Sequence, residues 1–363
     1  MEHSMYFFRN IETINKYNPN ERIIREFEVT TDADIRGGFI FGPYSFKLWE
    51  FNPKKEGEER KLILKIEEHE RYILADSENS LYKDTLSNPS DKAYYPGGDI
   101  VDEIIFLSSL FLRRRFKKGS LLRINNQPHL TSSAYNRILD KHLITGTSNL
   151  SNLESYFNLL EKLNKKYNQK YILSAKLYHQ ALLIIENEPD LAYLSLISSI
   201  EVLSNDYKID TNFSDIENPK LKKAVEKIED EDVRKEVETA ILERENLITK
   251  KFIEFIYDYT EESFWKYENR PKLGKVEKDN SKEYLKRIYR QRSETLHSGK
   301  LFPPNIFDPP SLGAEIDFSI STTVGERKWP SEKYIPNIHF FERLVQHVLI
   351  NFLKKNQINN LLS

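Results

Sequence analysis

The chain of 363 residues contains no cysteine. That excludes disulfides, thiolate nucleophiles and any zinc or iron–sulfur centre held by cysteine. A reducing compartment is compatible with the absence. Long apolar runs are missing as well. No uninterrupted stretch reaches the roughly 20 residues that span a bilayer. Met1-Glu2-His3-Ser4 does not lead into a basic and then apolar leader. These absences predict a soluble cytoplasmic protein with no membrane contact. An excess of one charge is also lacking: 54 Lys and Arg stand against 56 Asp and Glu, for a formal net charge of -2. A uniformly basic nucleic-acid coat is thereby excluded, whereas a local basic groove is not. Gly97-Gly98-Asp99 has no phosphate-loop pattern around it and reads as a turn and helix cap. His129, His142, His339 and His347 lack ligand spacing, so neither a metal nor a cofactor is expected.

What is present is core-forming. Hydrophobic residues make up 39% of the chain, with 20 Tyr and 21 Phe. The pattern predicts an α+β protein: a mixed, strand-containing N-terminal domain over residues 1–150, then an all-helical bundle over 151–363. Short aromatic and β-branched runs at 23–29, 37–50, 61–66 and 72–74 read as strands, with a charged stretch at 67–71 between the last two. Residues 76–98 are polar and turn-rich. Asp99, with Asp102 three residues on, opens an apolar and buried helix. That helix runs into Arg113-Arg114-Arg115-Phe116-Lys117-Lys118. These cations suit the negative end of a helix dipole. Interleaved with Phe116, they equally suit a phosphate backbone and a base.

Residues 130–151 read as a connector. Helical periodicity then covers 153–163, 172–186 and 191–203, the last two forming an antiparallel pair across a short link at Pro189. Residues 219–251 are laced with Glu and Lys and read as one or two solvated helices. Residues 252–265 and 281–296 are helical. Pro303, Pro304, Pro309 and Pro310 forbid a helix in the next stretch. A last amphipathic helix covers 336–353.

Chemistry concentrates at Tyr289-Arg290-Gln291-Arg292-Ser293-Glu294-Thr295-Leu296-His297-Ser298-Gly299. Histidine can move a proton to or from an RNA hydroxyl, and arginine can hold phosphate charge. Arg292 and His297 are five residues apart, about 140° on an ideal helix. They converge only if the helix ends or bends near Leu296, or if a second copy supplies the other half. Arg290, seven residues from His297, shares its face and competes for the arginine role. Ser293 can orient the arginine or touch phosphate. A histidine at this position also serves as a simple helix-end charge. Glu201 projects from the apolar stripe Leu194, Ile197, Ile200, Leu203. A carboxylate there needs a partner, which Arg292 or Arg290 can supply.

The stretch Ala192 to Leu203 with Glu201, followed by Arg292-Ser293-Glu294-Thr295-Leu296-His297, resembles the glutamate-bearing helix and R-x4-6-H segment of the HEPN superfamily. The likeness is particularly to the ApeA-like branch from prokaryotic defence. The resemblance covers about half the chain, 171–353. It implies a helical bundle that works as a homodimer, with a metal-independent endoribonuclease cleft between protomers. The implied product end is a 2',3'-cyclic phosphate. Arg292, His297, Ser293 and Glu201 would form the site; apart from the resemblance, their residue types make Arg290, Arg113, Arg114, Arg115, Lys117 and Lys118 candidate RNA contacts. The N-terminal domain would meet a phage or regulatory partner. The alternative within the same family is a silent protein that senses, dimerises or binds a partner. A third is an active site in the N-terminal half.

Overall fold

The computed structural model describes residues 5–16, 22–49, 59–69, 99–128, 146–209, 212, 213, 216, 218–244, 248–266, 270–307, 314–316, 321–324, 327–330 and 333–358. The strand expected at 72–74, the polar stretch 76–98, most of the connector after residue 129, and His129, His142, Pro309 and Pro310 lie outside the described residues. A strand-rich N-terminal region precedes an all-helical C-terminal region, the α+β organisation expected.

The N-terminal region opens with helix α1 (Tyr6–Lys16) and strands β1 (Arg22–Thr31), β2 (Asp34–Arg36), β3 (Gly38–Phe41), β4 (Tyr44–Leu48) and β5 (Arg60–His69). Helix α2 (Ile100–Leu112) and strands β6 (Lys117–Ile124), β7 (Gln127–Pro128) and β8 (Thr147–Asn149) follow. Six strands form an antiparallel sheet in the order β3-β4-β5-β1-β6-β7, and β2 pairs in parallel with β8. Alternation sends Leu62, Leu64 and Ile66 of β5 into the core. The short strands β2, β7 and β8 were not anticipated, and neither were two longer elements. One is α1, whose first amides, Tyr6 N and Phe7 N, donate to the buried Glu103 carboxylate at 2.9 and 2.8 Å. The other is β6, where the basic run becomes a strand because acids elsewhere neutralise it. Lys118 meets Asp99 at 2.8 Å and Asp102 at 3.0 Å, and Arg123 meets Glu26 at 3.0 Å. β5 likewise continues through Glu67 and Glu68, since Arg22 lies 3.8 Å from Glu67 and Arg25 pairs with Glu68 on the neighbouring strand.

The Asp99 cap is present as a reciprocal box. Its carboxylate accepts from Asp102 N, and Asp102 accepts from Asp99 N. The helical region comprises α3 (Asn152–Glu161), α4 (Asn168–Ile184), α5 (Pro189–Ser204), α6 (Pro219–Val225), α7 (Glu231–Arg244), α8 (Ile248–Tyr259), α9 (Glu262–Trp265), α10 (Lys278–Ser298) and α11 (Ile338–Lys355). The charge-laced stretch is the pair α6 and α7, and among the described residues of the proline-rich stretch, 301–307, there is only a short 3-10 turn at Pro304–Ile306. Beyond it lies an unanticipated hairpin of β9 (Ser321–Val324) and β10 (Arg327–Pro330). Helix α5 is central, packing against α4, α8, α10 and α11. Its position explains why it is apolar on most sides.

The apolar cluster runs without interruption across residue 150. Helix α2 packs against α4, and Ser109 Oγ lies 2.9 Å from His179 Nδ1. Burial pushes His179 down to about 4. The unfolded chain therefore takes up a proton near pH 6.5 that the native chain refuses until about pH 4. Stability should fall as pH drops through that window, by up to about 3 kcal/mol for this group. Urea midpoints of wild type and His179→Gln should converge on acidification. A constant gap between them from neutral pH to pH 4 would contradict the assignment.

Candidate functional site on α5 and α10

Helix α10 buries Ser281, Leu285, Ile288, Tyr289 and Gln291 against the bundle. Arg292 follows Tyr289 by nearly one turn and stays on that side. Its Nη2 donates to Glu201 Oε2 at 3.0 Å. The second carboxylate oxygen, Oε1, accepts from the Tyr289 hydroxyl at 2.7 Å. Both oxygens of Glu201 are thus held from α10. The Arg292 guanidinium also lies 5.8 Å from the Tyr289 ring centre, and Phe252 of α8 packs on that ring at 5.1 Å. Glu201 and Arg292 side chains retain 13% and 24% exposure, so the pair borders solvent.

Glu201 therefore pairs with Arg292 and not with Arg290, which is exposed on another side of α10. The Arg292 Nε is buried with no hydrogen-bond partner among the described residues. The arginine is held in place with donor capacity remaining. Burial, and then the Glu201 hydrogen bond and charge, push the Tyr289 phenol far above its ordinary value, with the Arg292 charge opposing them. Tyr289 stays a neutral donor at any physiological pH. Its part in the site was not anticipated. The available signal was its position three residues before Arg292, beside the helix carrying Glu201.

His297 is exposed. The helix neither ends nor bends before it: α10 runs to Ser298 and stops at Gly299, whose φ of 62° places it in the left-handed region. The Gly299 amide donates to Thr295 O at 3.0 Å. With the helix continuous, Arg292 faces the bundle and His297 faces solvent, about 140° apart. Ser293 is half-buried and lies within about 40° of His297 around the helix. Leu296, 55% exposed, sits between the Arg292 and His297 sides.

The basic run at 113–118 sits elsewhere and is mostly engaged internally. Arg113 Nε contacts both oxygens of the buried Glu342 at 2.8 Å, and Tyr178 donates to the same carboxylate. Arg115 is 1% exposed between Asp32 and Glu186, with Nη1 2.8 Å from Glu186. Lys118 is bound by Asp99 and Asp102. Arg114 donates to Arg113 O at 2.8 Å, and burial and then Arg113 lower its basicity. Lys117 is half-buried on β6. The Arg113 and Arg115 guanidiniums are engaged by carboxylates of the same chain and tie the sheet region to the helices.

Of the remaining histidines, His347 accepts from Glu261 N at 3.1 Å and lies 2.8 Å from Asn351 Nδ2. Burial pushes it down to about 4, so it serves as a neutral acceptor at the start of α9. His339 lies on the same helix, α11. Among the described residues no group of three His, Asp or Glu is placed to hold a metal, and no helix is long and apolar enough to cross a membrane. No family model, curated protein or solved structure matches the chain.

Proposed function

We propose that the chain is a HEPN-like, metal-independent endoribonuclease that cleaves RNA to a 2',3'-cyclic phosphate. The observation carrying this is the clamped Glu201–Arg292 pair, five residues before an exposed His297 on the same helix. A histidine can move the protons of this reaction, and a fixed arginine can hold its phosphate charge. The imidazole of His297 takes the proton of the 2'-hydroxyl as that oxygen attacks phosphorus. The bond to the 5'-oxygen breaks, and a protonated imidazole returns a proton to that oxygen. The products are a cyclic phosphate and a 5'-hydroxyl. Arg292 stabilises charge on the non-bridging oxygens, with Glu201 and Tyr289 as positioning residues. RNA supplies its own nucleophile.

Arg292 and His297 diverge within one chain, so the cleft is assigned to a homodimer. His297 of one copy meets Arg292 of the other, and Leu296 lies between them at the contact. Leu296→Asp should convert dimer to monomer and reduce cleavage by at least the same fraction, with an unchanged melting temperature. Sedimentation together with RNA cleavage tests this, and an active monomer would contradict a shared cleft. Residues 1–150 are assigned a recognition or regulatory role, with a phage component or cellular regulator as partner. Cytoplasmic antiviral or stress defence fits such an enzyme.

A second reading is favoured by one observation. Arg292 is already paired with Glu201, as in a purely structural ion pair. A silent protein that dimerises and binds a partner would look the same there. Incubating the purified protein with total RNA in EDTA separates the two. Cleavage supports the enzyme. Intact RNA beside a folded, dimeric protein, with and without its partner, would favour the silent protein.

A further inference from the structure

Helix α10 carries a second feature, on the side away from Glu201. Lys286, Arg290, Ser293 and His297 recur at intervals of four, three and four residues and fall within about 60° of one another around the helix. Lys286, Arg290 and His297 are exposed, and among the described residues none of the three makes an ion pair. The neighbouring acids are already matched. Glu283 lies 3.6 Å from Arg287, and Glu294 pairs with Lys300. Asp279, in the first turn of α10, closes the stripe at its far end. The contrast with residues 113–118 is decisive. That run has the denser charge in the sequence, yet Arg113, Arg115 and Lys118 are each paired with the chain's own carboxylates, Arg113 and Arg115 with buried or largely buried ones and Lys118 at the surface. The stripe on α10 has fewer cations, but theirs are open to an anion.

We infer that this face of α10 binds the phosphate backbone of single-stranded RNA and leads it to His297. The inference rests on the proposed nuclease reading for what happens at the end of the track. Lys286 and Arg290 are separated by about 6 Å along the axis, and Lys286 and His297 by about 16 Å. A few nucleotides of extended strand would cover that length. Contacts of this kind go to phosphate and carry no sequence information, so they position the strand without selecting it. The chain's near-neutral net charge limits binding elsewhere on the surface. Arg290 and Arg292 thereby have separate tasks: Arg290 holds the incoming backbone, and Arg292 holds the reacting phosphate.

The test uses the full-length protein and a fluorescent 2'-O-methyl oligonucleotide, which can bind but lacks the attacking hydroxyl. Affinity is measured across a salt series for wild type, Lys286→Ala/Arg290→Ala and His297→Ala. Each lost phosphate contact should lower the salt slope by about 0.7, so the double variant should lose about 1.4. Its affinity at low salt should fall at least about tenfold. Both side chains are exposed, so its melting temperature should match wild type. Unchanged affinity and slope would overturn the inference, even if wild type cleaves natural RNA and the nuclease reading stands. Binding lost in the double variant, from a wild type that never cleaves, would sustain the track and sink the nuclease reading. Phosphatidylserine vesicles form the remaining arm. If the double variant loses vesicle binding but keeps oligonucleotide binding, the face serves lipid and the inference fails.

Discussion

RNA cleavage by His297→Ala should fall by about 10²- to 10⁴-fold, the contribution of a positioned acid or base. Its folding should be almost untouched. His297 is exposed in the last turn of α10, and the helix is stopped by Gly299 and anchored by the buried face around Ile288. A helix-end charge contributes at most about 1 kcal/mol at an exposed position. The two roles of this histidine therefore separate by measurement. If it serves only the helix end, the variant loses a little stability and no activity. If it moves protons, it loses activity and almost no stability. His297→Gln sharpens the distinction, since it keeps hydrogen bonding but cannot titrate. Full cleavage by His297→Ala would remove the residue from the chemistry.

Arg115→Ala should cost about 3–5 kcal/mol, the usual penalty for stranding a buried charge. Asp32 and Glu186 side chains, 12% and 9% exposed, would face each other without the guanidinium between them. Asp32 follows β1, and Glu186 lies just before α5, the helix that carries Glu201. Losing Arg115 thus loosens the sheet region from the helical region. Adding Asp32→Asn and Glu186→Gln to Arg115→Met should recover much of the loss, because no charge is then left buried. Urea midpoints measure both. A loss below about 1 kcal/mol for Arg115→Ala would show that water or another cation compensates.

The pairing of Glu201 with an arginine was legible because a carboxylate in an apolar stripe requires a cation. Periodicity alone could not choose between Arg290 and Arg292, since the choice depends on how α10 is rotated against α5. The Asp99 cap and the stop at Gly299 were legible because both are local. Helix α1 was not. Its first turn is capped by Glu103, and Asn10 reaches the Tyr44 hydroxyl at 3.0 Å, contacts made far away in sequence. β6 was hidden for a related reason. Lys117, Lys118 and Arg123 look like a solvated basic run until Glu26, Asp99 and Asp102 are brought alongside. The Tyr289 hydroxyl was missed because its position three residues before Arg292 marks a shared helix side but not a second donor to Glu201. Arg115 shows the opposite error: a cation that looks available in sequence can be the most buried cation of its run.

The most direct measurement is the chemistry of the new 3' ends left on total RNA incubated in EDTA with wild type and with His297→Ala. Cyclic phosphates made by wild type and absent with the variant are expected, because the 2'-hydroxyl attacks and His297 moves its proton. Ends carrying a free 3'-hydroxyl, or cyclic phosphates made equally well by His297→Ala, would contradict that chemistry at this site.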